Sequence, residues 1–77
     1  MQPEMEPVSS SLVKEMGYDE ENRELWLRLN NGGFFYVFSD VRKEVFEEMQ
    51  ACCSVGRYFQ NHIRFVYSCR QEGGVSL

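Results

Sequence analysis

Between Arg23 and Leu29 the chain alternates: Leu25, Leu27 and Leu29 are interleaved with Glu24, Trp26 and Arg28. Side chains of a strand point to opposite faces in turn, so a period of two predicts a strand with its leucines on a core and Trp26 on the other face. Leucine is a good helix former, but the period outweighs that propensity. The run Asn30-Asn31-Gly32-Gly33 then supplies residues that tolerate positive φ, as a tight hairpin requires. Residues 34–38, Phe-Phe-Tyr-Val-Phe, predict the next strand. Phe34, Tyr36 and Phe38 share one of its faces, and Phe35 and Val37 share the other. Upstream, residues 10–18 predict a first strand with Leu12, Met16 and Tyr18 on one face and Lys14 interrupting it. Residues 19–22, Asp-Glu-Glu-Asn, form the polar turn between.

After residue 38 the period changes. Residues 39–53 place Val41, Val45, Phe46, Met49 and Cys52 or Cys53 at helical spacing, with Glu44, Glu47 and Glu48 on the wet side. Ser39 or Asp40 is positioned to cap this helix. A break comes at Ser54-Val55-Gly56, where Ser54 can cap again, and residues 57–67 supply Tyr58, Phe59, Ile63 and Val66 as the apolar stripe of a second helix. The expected fold is α+β: a three-stranded antiparallel meander followed by two helices packed on one sheet face. Residues 1–8, with both prolines and two glutamates, read as a loose leader, 9–70 as the folded domain, and the Gly-rich 71–77 as a loose tail.

Seventy-seven residues make one domain, and a hydrophobic fraction of 43% suffices for a small core. A net charge of −4 argues against a generally basic nucleic-acid binder. The charge is uneven, however. Residues 1–48 hold eleven acids and five bases, whereas residues 49–71 hold no acid and three arginines, Arg57, Arg64 and Arg70. Either this is scatter in a short chain or a locally basic segment sits in an acidic protein.

The three cysteines, Cys52, Cys53 and Cys69, are an odd number without a signal peptide, which points to free thiols and a cytoplasmic location. No apolar run approaches the roughly 20 residues needed to span a bilayer. His62 is the single histidine, and no third partner or oxyanion loop accompanies it, so a Cys–His nucleophile is disfavoured. Cys52, Cys53, His62 and Cys69 lack paired metal-ligand spacing, and the cysteines read as small core residues. The Asn-Asn-Gly-Gly run joins two strands and lacks a phosphate-loop pattern. No cofactor or metal is expected, and the chain reads as a non-enzymatic binding module.

The series of features resembles the KTSC domain, a short module named for its occurrence at the C-terminus of some lysyl-tRNA synthetases and found also as a stand-alone bacterial protein. The residues that carry the resemblance are the serines before Leu12, then Gly17, Tyr18 and Asp19, then the strand 25–38 with Tyr36 and Phe38 at its paired aromatic positions. Val41 opens a helix, Ser54 and Gly56 form a Ser-x-Gly turn, and Tyr58, Phe59, Asn61, Ile63, Arg64 and Tyr67 complete the series. The likeness covers roughly residues 9–67. Phe38 lacks the hydroxyl of the second tyrosine, and Arg42 stands where proline often follows the valine, a change that should be harmless at a helix start. The family carries no established activity, and its place beside a tRNA-charging enzyme implies RNA binding by association.

Two binding readings follow. In the first, RNA or an RNA-associated protein is the partner, Arg57, Arg64 and Arg70 hold phosphates, and Tyr36, Tyr58 and Tyr67 stack or hydrogen-bond. In the second, the acidic half meets a basic protein, in the extreme as an inhibitory mimic in a nucleic-acid-binding groove, or two copies of the chain pair. Trp26, Phe35 and Val37 then form the anchor, since they should lie together on the face without the leucines. That patch is either an exposed interaction surface or covered by a helix or the leader.

Overall fold

The strands read from the alternating segments are the middle of a larger sheet. A computed structural model describes residues 3–30 and 33–72. Its strands are β1 (Glu6–Pro7), β2 (Val13–Asp19), β3 (Glu24–Leu29), β4 (Phe35–Phe38) and β5 (Cys69–Glu72), neighbours in that order and antiparallel throughout. Between β4 and β5 come α1 (Lys43–Ala51), α2 (Val55–Tyr58) and a π-helical turn, Phe59–Ile63, that continues α2. The architecture is α+β, with five strands in place of the expected three. Both added strands lie at the edges. β1 comes from the segment expected as a loose leader, and β5 takes Gln71 and Glu72 from the expected tail; residues 73–77 of that tail lie outside the described residues, as do Asn31 and Gly32 of the expected hairpin. Neither Glu-Pro nor Cys-Arg-Gln-Glu alternates in hydrophobicity, and β5 exists because β4 offers it a ladder, Phe38 opposite Cys69 and Phe35 opposite Glu72.

Register assigns the faces. Leu25 pairs with Tyr18 and Phe38, and Leu27 with Met16 and Tyr36, so these side chains point to one face, called inner below. Trp26 pairs with Gly17 and Val37 on the outer face. The first strand departs from its expected phase. The pairing shifts between Val13, opposite Leu29, and Glu15, opposite Arg28, so Lys14 is the extra residue of a bulge. The bulge turns Val13 inward, where it is fully buried, and leaves Leu12 half-buried at the end of the sheet.

The inner face carries the core. Val13, Met16, Leu25, Leu27 and Phe38 pack with Val41, Met49, Val55, Phe59 and Ile63 from the helical side. Tyr18 stacks on Phe46 with ring centres 5.4 Å apart, and its hydroxyl donates to the Val41 carbonyl. The cap of α1 is not Ser39 or Asp40: Arg42 stands at the N-cap position and no side chain caps it. Asp40 instead makes the turn into the helix, with φ of 62°, and the Val41 N–H donates to the carbonyl of Arg23, itself at φ 55°. The second helical segment starts at Val55 with Ser54 as its cap, as expected, and the Ser54 Oγ accepts from the Arg57 N–H. It ends sooner than expected. The Arg64 N–H bonds the Phe59 carbonyl five residues back, closing the π-helical turn, and Phe65 and Val66 follow in a turn. Val66 is therefore 64% exposed, not part of the apolar stripe.

Candidate functional site

The outer face is covered over Trp26 and Val37, and Phe35 is half-buried there. Trp26, Phe35 and Val37 do lie together there: Trp26 and Val37 are cross-strand partners, and the rings of Trp26 and Phe35 are 5.6 Å apart. Yet Trp26 is only 5% exposed and Val37 is fully buried, so they are not the open aromatic patch that would anchor a partner. Two layers cover them. On one side the chain at Pro3–Met5 crosses Gly17, the cross-strand neighbour of Trp26, so closely that a Cβ there would lie 2.6 Å from the Glu4 carbonyl oxygen. On the other, Glu24 accepts from the Trp26 Nε1–H at 3.4 Å and from the Arg70 guanidinium at 2.7 Å, and Arg70 also bonds Glu72 at 2.9 Å. The Arg70 hydrogen bond holds the Glu24 carboxyl below its ordinary range. Arg28 reaches Glu15 at 3.2 Å and lies over the Phe35 ring.

The same network corrects the arginine trio. Arg70 pairs with Val37, which puts its side chain on the outer face, away from the helical side that carries Arg57 and Arg64, and two carboxylates occupy it. The three tyrosines also separate. Tyr58 packs at a tilt against His62 with ring centres 4.6 Å apart, and burial, with Glu48 beside it, raises its phenol above the usual range. Tyr67 lines a hollow with Arg23, Asp40 and Arg42. Tyr36 is elsewhere, at the end of the inner face that the helices leave open.

There the structure brings Tyr36 and Arg64 together. Both line an apolar hollow of about 350 Å³ with Leu12, Leu29, Phe59 and Phe65. Phe65 is 85% exposed. The Arg64 guanidinium sits 5.2 Å from the centre of its ring, an arrangement that stacks cation on π-face. Phe34 packs edge-on to Tyr36 at 5.1 Å, which fixes the tyrosine ring from the strand side. Beside this hollow, sharing Leu12, is a polar one of about 320 Å³ that includes Ser9, Ser10, Ser11, Ser54, Arg57 and Gln60. Gly56 joins its walls: a Cβ there would lie 3.2 Å from both the Leu12 Cβ and the Ser10 Oγ, so α2 rests directly on the serine loop. Among the described residues Arg57 and Arg64 have no acidic partner.

Two features were not visible in the sequence. Phe65 is off the Phe59–Ile63 stripe, which was the available signal, and the turn after Ile63 leaves it 85% exposed. Arg23, Arg42 and Lys43 form a second basic cluster with Tyr18. Glu20, Glu44 and Asp40 stand in the same hollows and Glu20 pairs with Lys43 at 3.2 Å, so its charge is balanced. Cys52 is half-buried and Cys53 and Cys69 are exposed, not core residues as the sequence suggested. No group of three metal-ligating side chains is found among the described residues, and no helix among them is long and apolar enough to cross a membrane.

Fold and hollows together define a small α+β domain, one antiparallel five-stranded sheet with helices on one face and an open aromatic end. The KTSC domain family profile matches residues 9–67, and the chain belongs to that family. A protein of Tsukamurella paurometabola is 37% identical over 60 residues, 78% of this chain and 88% of its own. The crystal structure of a KTSC domain protein from Yersinia pestis matches with a TM-score of 0.86 at 31% identity, covering 91% of this chain and 97% of that one. Of the residues behind the resemblance, Tyr36 and Arg64 line the apolar hollow, and the serines, Ser54 and Gly56 line the polar one.

Proposed function

We propose that the domain binds RNA through unpaired bases. The observation that carries this reading is the apolar hollow in which Tyr36, Arg64 and the exposed Phe65 meet. An exposed phenylalanine with a guanidinium over its ring offers a π-face to a base and a cation to the adjoining phosphate, the pairing that single-stranded nucleic acid uses. The neighbourhood supports it, because residues 49–71 contain no acid to repel a polyanion. Relative to the expected set, Arg70 leaves the interface, Tyr58 and Tyr67 lie away from it, and Phe65 joins it. The rival reading, a protein or second copy docked on Trp26, Phe35 and Val37, loses its anchor because the outer face is covered.

The test is fluorescence anisotropy with a labelled single-stranded RNA and with tRNA at low and moderate salt. Two phosphate contacts on a single strand give a log–log salt slope of about −1.4. Phe65→Ala should weaken binding by about 5- to 150-fold, the loss of one stacked base. No binding at low salt would end the RNA reading.

A further inference from the structure

We propose that the polar hollow between the serine loop and α2 is a phosphate cradle, which holds the phosphodiester next to a base stacked in the apolar hollow. This rests on the RNA reading and deepens it by naming the group each hollow takes. The lining carries donors and no carboxylate: the Arg57 guanidinium, the Gln60 amide, and the hydroxyls of Ser9, Ser10, Ser11 and Ser54. That is unusual on a chain with twelve acids, and it contrasts with the Arg23–Arg42–Lys43 hollow, whose two carboxylates, Glu20 and Glu44, would oppose an anion.

Two of the hydroxyls are oriented by the backbone. Ser10 Oγ accepts from the N–H groups of Leu12 at 3.2 Å and Val13 at 3.3 Å, and Ser54 Oγ accepts from the Arg57 N–H at 3.3 Å. Ser10 Oγ thus has both lone pairs engaged and Ser54 Oγ one of its two, and the O–H of each remains available to donate, as a phosphate oxygen requires. Arg57 is exposed, unpaired with any acid among the described residues, and can present its fork to the same oxygens. Leu12 belongs to both hollows, so a strand with its base against Tyr36 and Phe65 passes directly to the serines. The packing of Gly56 against Ser10 and Leu12 holds the two walls in place before any ligand arrives.

The test has two arms. In the first, backbone amide shifts are followed by nuclear magnetic resonance during titration with inorganic phosphate and with adenosine monophosphate. Shifts confined to residues 9–12 and 54–57, and lost in Arg57→Gln, support the cradle; shifts centred on Arg23 and Lys43, or shifts that survive Arg57→Gln, overturn it. In the second, the salt slope of RNA binding is compared between wild type and Arg57→Gln. The variant should bind more weakly and with a slope shallower by about 0.7, the share of one phosphate on a single strand. Arg57→Lys, which keeps the charge and not the fork, should recover the slope and only part of the affinity. RNA binding with an unchanged slope in Arg57→Gln sinks the cradle and spares the RNA reading. Phosphate shifts at the cradle without any RNA binding do the reverse.

Discussion

Gly17 is the most exposing position in the sheet, because what it lacks lets the N-terminal chain lie on the outer face. Its backbone is ordinary strand, so alanine would be conformationally acceptable; the obstacle is space. A Cβ would stand 2.6 Å from the Glu4 carbonyl oxygen and 2.8 Å from the Met5 sulfur. The first is a backbone atom, which no rotamer change can move, so Gly17→Ala must lift Pro3–Met5 and loosen β1. The lost cover over Trp26 and its neighbours is about 100 Å² of apolar surface, roughly half of what a tryptophan buries. At about 25 cal/mol per Å² that is about 2.5 kcal/mol. Replacing a strand glycine returns about 0.5–1 kcal/mol of backbone entropy. The net loss is about 1.5–2 kcal/mol, a fall in Tm of about 10 °C for a domain of this size. Trp26 is the single tryptophan, so its fluorescence reads both urea unfolding and the local exposure, and the emission should shift to the red in the folded variant. Deleting residues 1–7 should cost a similar amount, and in that shortened chain Gly17→Ala should be neutral or slightly stabilising. A variant with unchanged midpoint and emission, or a penalty that persists without the leader, refutes the reasoning.

Two further outcomes follow from the sheet. Val13→Ala should cost about 2 kcal/mol in urea unfolding, because it empties a fully buried site, and Leu12→Ala should cost less; equal losses would mean the Lys14 bulge does not set the phase. The Glu24 carboxyl is depressed in the folded state by Arg70, so its contribution is present above the unfolded value near 4.3 and is lost as pH falls through the lower folded value. Urea midpoints measured between about pH 6 and 3 should therefore fall less steeply in Arg70→Gln than in wild type.

The centre of the sheet was legible because it is governed by local alternation. Leu25, Leu27 and Leu29 announced β3, the faces of β4 were read correctly, and Trp26 was placed beside Phe35 and Val37 from parity alone. What failed depends on partners distant in sequence. β5 has no pattern of its own, and Arg70 looked like a free phosphate ligand because Glu24, 46 positions away, cannot be seen to reach it. The burial of Trp26 was left open between an exposed patch and cover by a helix or the leader, and the choice of the leader hangs on a glycine in another strand. The bulge at Lys14 showed itself only as an interruption. At the candidate site, Tyr36 and Arg64 were both named from the sequence, but that they share one hollow and Arg70 does not follows from the register of β5 and the early end of the helix.

Folding also turns the charge asymmetry of the sequence into one of surfaces. Arg28 and Arg70 are neutralised by Glu15, Glu24 and Glu72 on the outer face, and Lys43 by Glu20 near the start of α1. Arg57 and Arg64 have no such partners among the described residues, and each stands beside its own hollow, neither of which is lined by an acid. A polyanion meets an acidic body with a net charge of −4 and these two hollows. Two guanidiniums cannot offset that repulsion along a duplex, which presents charge every few ångströms and hides its bases. They can do so for an unpaired loop or end, where each phosphate contact is joined by a stacked base that is indifferent to salt. Under the proposed RNA reading, the charge distribution and the open aromatic end would favour the same kind of ligand for independent reasons, one by limiting the number of phosphates held and the other by requiring a free base.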